Sequence, residues 1–219
     1  MKIRKGFILS GVMLIIFLLF IVVIKKVDVK PIGPQNSIVG LASINQFLFK
    51  KIGVHLIFYN ITDWLGIVAI LVAFGFGVLG IIQLIERRSL FKVDSDILLL
   101  GVYYIIIILT YIFFEIYIVN YRPIILYEYL EASFPSSHTM IVLCIMATAI
   151  GQFKNRINHS TIRISALVLS YLLIAVTIIG RLISGVHWFT DIIAGILLGT
   201  SLILFYTFFV KWIKLKNKS

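Results

Sequence analysis

The 219-residue chain is 61% apolar and only 13% charged, with a mean hydropathy of +1.09, whereas soluble domains are about half apolar and a quarter charged. That composition excludes an ordinary soluble fold and reads as an integral membrane protein. A net charge of +11 would suit nucleic acid, but Lys and Arg stand in short clusters between apolar runs, so loop anchoring explains them and no nucleic-acid partner is expected.

Lys2, Arg4 and Lys5 precede an apolar run from Phe7 to Ile24. A signal peptide shares that pattern, but about 18 apolar residues with no small-residue cleavage site after them predict a spanning helix over 7–24. From Lys25 to Asp63 the chain does not read as spanning. Pro31, Gly33 and Pro34 break its start, and Leu41, Ile44, Leu48 and Ile52 then recur at helical spacing, with Gln46, Lys50 and Lys51 elsewhere on the turn. This predicts an amphipathic helix lying in the interface of the first outer loop, either as a spacer or over the mouth of a site. Phe47 and Phe49 fall off the stripe and broaden its apolar face.

Further spans are expected over 64–85, 97–120, 138–153, 164–183 and 188–210. The third, of 24 residues, makes about 36 Å of helix, enough to cross with tilt. The fourth is short and stops at Lys154, Asn155 and Arg156, and Lys211, Lys214, Lys216 and Lys218 close the chain. The expected fold is therefore all-α and polytopic, six transmembrane helices in a single domain, 1–219. Of the 20 Lys and Arg, 13 fall at the N-terminus, around Arg87, around Lys154 and at the C-terminus, which predicts that both termini are cytoplasmic. The lone Cys144 lies in an apolar run and reads as a core thiol. No repeat, P-loop, dinucleotide fingerprint or metal-type cluster stands out.

Three polar islands interrupt the hydrocarbon: Tyr121-Arg122-Pro123, Phe134-Pro135-Ser136-Ser137-His138-Thr139, and Gly180-Arg181 followed by His187-Trp188-Phe189-Thr190-Asp191. In the expected topology all three share the outer face. Ionisable residues near the bilayer are costly, so their recurrence at three helix ends points to function beyond interface anchoring. His187 and Asp191, four apart, share a helix face, where the carboxylate accepts from one ring nitrogen and leaves the other free as a nucleophile. The alternative is a capped structural histidine. Ser136, Ser137 and His138 at a helix N-terminus make an anion seat, or else an ordinary N-cap. Arg122 and Arg181 each offer a planar fork to phosphoryl oxygens.

These residues resemble the type 2 phosphatidic acid phosphatases, integral-membrane lipid phosphatases with the signature K-x6-R-P, P-S-G-H and S-R-x5-H-x3-D. Arg122-Pro123 matches the end of the first motif. Pro135-Ser136-Ser137-His138 matches the second with Ser137 for glycine, and Gly180-Arg181 through His187 to Asp191 matches the third with Gly180 for serine. The resemblance implies that His187 attacks phosphorus to give a phosphohistidine, that Asp191 holds its ring, and that His138 protonates the leaving oxygen and then helps to activate water. It further implies that Arg122, Arg181, Ser136 and the backbone around Ser137 grip the phosphoryl oxygens, with no metal or other cofactor. The implied partner is a lipid phosphate or diphosphate at the outer face of the cell membrane. In a bacterium the candidates are undecaprenyl diphosphate, phosphatidylglycerophosphate and phosphatidic acid.

One departure reverses a charge. Where the first motif has lysine, this chain has Glu115. Glu115 either turns to a cation and shapes the site for a different headgroup, or is protonated and packs, or weakens catalysis. The last case would leave a non-catalytic lipid-phosphate binder or transporter.

Overall fold

In hydrocarbon every backbone N–H and C=O must find a partner within the chain, and a helix achieves this inside one segment. The computed structural model, which describes residues 2–216, is accordingly helical: α1 (Lys2–Lys26), α2 (Ala42–Ile52), α3 (Leu56–Arg87), α4 (Ser95–Ile116), α5 (Ser137–Arg156), α6 (Ser160–Ser184) and α7 (Phe189–Lys216). Among the described residues the only sheet-like pairings are two isolated antiparallel bridges, Lys30 with Val39 and Tyr121 with Ala132. Of the terminal lysines, Lys218 lies outside the described residues.

Five of the helices, α1, α3, α4, α6 and α7, are long and apolar enough to cross a membrane, and the chain is a multi-pass membrane protein. The helix over the expected short fourth span, α5, is not among them. Half of its residues are buried, and it packs against α3, α4, α6 and α7. Shielded by its neighbours, it can carry polar groups that find partners inside the bundle. The Thr148 hydroxyl donates to Cys144 O and Ile145 O, both at 2.9 Å, and Gln152 Nε2 donates to Tyr206 Oη at 3.3 Å.

Two boundaries move in ways that matter for the site. Helix α3 starts at Leu56, eight residues before the expected Trp64, because Leu56, Ile57 and Phe58 continue its apolar run; Thr62 and Asp63 therefore lie within the helix. Helix α4 ends at Ile116, short of the expected Asn120, and releases residues 117–136 as a loop. The expected amphipathic helix is present as α2, and its fully buried residues lie beside the apolar stripe. Leu41 precedes the helix with a left-handed backbone and Ile44 is 45% exposed, whereas Ala42 and Asn45 are fully buried. Docking on α7 selects that face.

The helices alternate in direction. At one end the start of α3 meets the end of α6, with His55 N–H donating to Ser184 O at 3.1 Å, and the start of α5 meets that of α7, with Ser136 N–H donating to Asp191 O at 3.0 Å. At the other end Arg156 bridges Asp94 at 2.9 Å and Asp96 at 2.7 Å, and Lys214 reaches Asp96 at 2.9 Å. All three polar islands gather at the first end. Helices α1 and α7 lie side by side, joined by reciprocal bonds in which Ser10 and Ser201 each donate to the other's carbonyl at 2.9 Å.

Candidate active site

The loop after α4 folds back on itself. Ser133 N–H donates to Asn120 O at 2.9 Å and Arg122 N–H to Glu131 O at 3.1 Å, so the loop delivers Arg122 and Ser133 together over the start of α7. Trp188 pins it from the other side through Nε1–H to Tyr121 O at 2.8 Å.

His187 lies in the turn before α7 and is almost wholly buried. Its Nδ1 is 3.0 Å from Ser133 O. A carbonyl oxygen only accepts, so Nδ1 carries the proton and Nε2 keeps its lone pair. That nitrogen looks towards Arg122, whose Nη1 is 3.4 Å away. Burial first, and then the positive charges of Arg122 and Arg181, push the imidazole well below its ordinary value of 6.5, so it rests neutral. Asp191 is not in direct hydrogen-bond contact with the ring, its Oδ2 standing 3.9 Å from Nδ1. Ser133 is interposed: its hydroxyl donates to Asp191 Oδ2 at 2.5 Å and lies 3.1 Å from Nδ1. The carboxylate also accepts from Trp188 N–H at 2.9 Å and Asn120 Nδ2 at 3.3 Å. As the third residue of α7 it reaches back to satisfy a free N–H at the helix start.

Several polar atoms of the expected phosphate ligands and their neighbours lack partners at this end of the bundle. Ser136 sits at the N-cap position of α5 yet its hydroxyl makes no capping bond. Ser136 Oγ, Thr139 Oγ1, His138 Nδ1 and the Nε and Nη1 of Arg181 are all buried without a hydrogen-bond partner. Buried polar groups are normally paired; unpaired donors beside the free N–H groups at the start of α5 make an anion seat. Arg181 is fully buried, with its guanidinium 4.9 Å from the centre of the Tyr59 ring. Arg122 holds Glu131 through Nε at 3.2 Å. Ser137 lines both a narrow crevice shared by Glu115 and His187 and a cavity of about 280 Å³ that reaches His138 and Asp63.

The departures from the motifs have local explanations. Ser137 opens α5 without a positive φ, so glycine is not needed there. A Cβ with the position of a serine's at Gly180 would stand 2.6 Å from Thr62 Cγ2, and the glycine lets α6 and α3 come together. Glu115 makes no ion pair among the described residues; it lines the narrow crevice together with Tyr111, one turn back on the same helix.

Four site residues were not anticipated from sequence: Ser133, Asn120, Asp63 and Asn45. Asn45 of α2 donates to Thr190 Oγ1 at 3.0 Å and accepts from Thr190 N–H at 3.2 Å, which caps α7 from outside. Phe49 of the same helix packs on Trp188 at 5.6 Å. Asp63 contacts both Arg181 and His138. Of the four only Asp63 had a sequence signal, a carboxylate amid apolar residues next to a span.

A helical bundle that gathers two arginines, several unpartnered polar groups and one buried, singly oriented histidine at one end defines the class, a polytopic membrane protein. The family model described as the PAP2 superfamily matches residues 72–215, and the chain belongs to that family; at family level it is a membrane lipid phosphatase. The crystal structure described as that of the first transmembrane PAP2 type phosphatidylglycerolphosphate phosphatase from Bacillus subtilis shares its fold, with a TM-score of 0.62 and 19% identity over 94% of this chain and 96% of that one. The search among curated proteins finds no match. Helices α1 and α2, with Asp63 and Gly66 of α3, precede the matched stretch.

Proposed function

We propose that the protein hydrolyses a lipid phosphate or diphosphate at the extracytoplasmic face of the cell membrane, without a metal, through a phosphohistidine at His187. The observation that carries this reading is the Nδ1-protonated, buried His187, whose Nε2 keeps its lone pair and faces the Arg122 guanidinium. Nε2 attacks phosphorus in line and the bond to the lipid oxygen breaks. That oxygen takes a proton from His138, and the freed lipid departs. His138 then takes a proton from water, whose oxygen attacks the phosphohistidine and releases phosphate. Phosphoryl transfer needs chiefly positioning and positive charge around the equatorial oxygens, which Arg122, Arg181, Ser136 and the amides at the start of α5 supply.

The cavity beside His138 supports a lipid substrate. Its wall includes Ile67 and Ile70 of α3, which are 46% and 56% exposed, so an acyl chain can lie against them while its phosphate enters the seat. The alternation of the helices supports α5 as a sixth span with both termini on one side, and the excess of Lys and Arg at that end supports the cytoplasm as that side. Phosphatidate, phosphatidylglycerophosphate and undecaprenyl diphosphate are the substrates to test.

A second reading, a catalytically weak member that binds or transports lipid phosphate, is favoured by the carboxylates at the site: Glu131 and Asp63 pair with Arg122 and Arg181, and Glu115 lines the same crevice as His187. Phosphate release from these three lipids by the purified protein, with His187→Ala as control, separates the two. The enzyme reading expects release that the variant abolishes. No release from any lipid, or equal release by the variant, rejects it.

A further inference from the structure

Asp63 has a place in this site that neither the motifs nor the family match covers. Its Oδ1 contacts Arg181 Nη2 and stands 3.1 Å from His138 Nε2, joining α3 to the end of α6 and the start of α5. Two glycines make this approach fit. A Cβ at Gly66, one turn after Asp63, would lie 3.0 Å from His138 Cδ2 and 3.4 Å from Nε2, so the ring lays that edge on the α3 backbone. Gly180, where the family motif has serine, meets Thr62 beside Asp63. The serine-to-glycine departure and the Asp63 contact thus belong to one packing arrangement.

The tautomer follows. A carboxylate accepts, so His138 offers Asp63 its Nε2–H, and Nδ1, on the opposite edge from Gly66, remains for proton transfer. Nδ1 is buried and has no partner, as are Nε and Nη1 of Arg181. Asp63 itself is not sealed in: its side chain is 36% exposed and lines the cavity beside His138.

We propose that Asp63 is the positioning residue of the leaving-group proton: it holds His138 through Nε2 so that Nδ1 alone gives and takes the proton, and it competes with a phosphoryl oxygen for Nη2 of Arg181. The inference rests on the phosphatase reading above. In the first step the imidazolium Nδ1–H passes to the lipid oxygen as the P–O bond breaks, leaving neutral His138 with its Nε2–H still on Asp63. In the second, Nδ1 accepts the proton of the attacking water and the imidazolium is restored. Asp63 stays ionised throughout and exchanges no proton.

The test uses the full-length protein in detergent, as wild type, Asp63→Asn and Asp63→Glu. An alkyl leaving group needs the proton and a nitrophenolate does not, and acid–base assistance contributes about 10² to 10⁴ in rate. Asp63→Asn is therefore expected to lose at least about tenfold more kcat on dioleoyl phosphatidate than on p-nitrophenyl phosphate, with part of the loss restored by Asp63→Glu. Removal of the competing carboxylate is also expected to tighten orthovanadate binding, read by vanadate-induced thermal stabilisation, which needs no turnover. Equal losses on the two substrates, or vanadate binding no tighter than in wild type, overturn the proposal. A wild-type protein that hydrolyses neither substrate rejects the phosphatase reading instead, and the vanadate comparison still decides whether Asp63 competes for Arg181.

Discussion

The proposed chemistry converges on His187, and what orients it is a serine. Ser133 offers its carbonyl to Nδ1 and its hydroxyl to Asp191, so the carboxylate acts on the ring through an intermediary. In Ser133→Ala the carbonyl remains but Asp191 Oδ2 loses one of its donors, and a buried acceptor left short costs about 1–3 kcal/mol. The expected outcome is a kcat lowered about tenfold or more with KM little changed, because the oriented nucleophile matters most in the transition state; unchanged kinetics would show that Asp191 acts on the ring without Ser133. Protonation follows a definite sign. With its folded pKa held below the ordinary 6.5, His187 keeps the Nε2 lone pair as pH falls through that value. The unfolded chain takes up the proton first, so the stability associated with neutral His187 is present above about pH 6.5 and lost below it.

At the scale of elements, the helices that build the site were unequally legible. The apolar runs declare α1, α3, α4, α6 and α7, because lipid demands continuous hydrocarbon. The ends were harder: Asp63 looked like a boundary and lies in the second turn of α3, since a charged residue is tolerated in a helix when Arg181 and His138 neutralise it. The amphipathic pattern found α2 but not its docking contact, because Asn45 is buried by a partner 145 positions away that no local periodicity reports. The same holds for Ser133 with His187, 54 apart, and Asp63 with Arg181, 118 apart. The motif residues were legible because their chemistry and short spacings lie in single stretches. If α2 braces the turn that carries His187, then Asn45→Ala, which strands the Thr190 amide and hydroxyl at a cost of about 1–3 kcal/mol, is expected to lower the melting temperature by several degrees and reduce turnover; an unchanged melting temperature would mean that α2 only rests on α7.

At the scale of the whole molecule, charge divides the two ends of the bundle. Arg87, Arg156 and Lys214 gather with Asp94 and Asp96 at the end opposite the site, as expected if that end faces the cytoplasm. A cysteine placed at Tyr127, after replacement of Cys144, is then expected to react with an impermeant maleimide added to intact cells; labelling only after lysis would reverse the orientation. Every part of this account, from the tautomer of His187 to the cavity beside His138, depends on a covalent step at one nitrogen. The most direct test is to mix the purified protein with phosphatidate labelled in its phosphate, quench in alkali within a single turnover, and map the label. The account predicts an acid-labile phosphate on His187 that is absent from His187→Ala. Release of phosphate with no label on the wild-type protein at any quench time, or equal labelling of the variant, would contradict it.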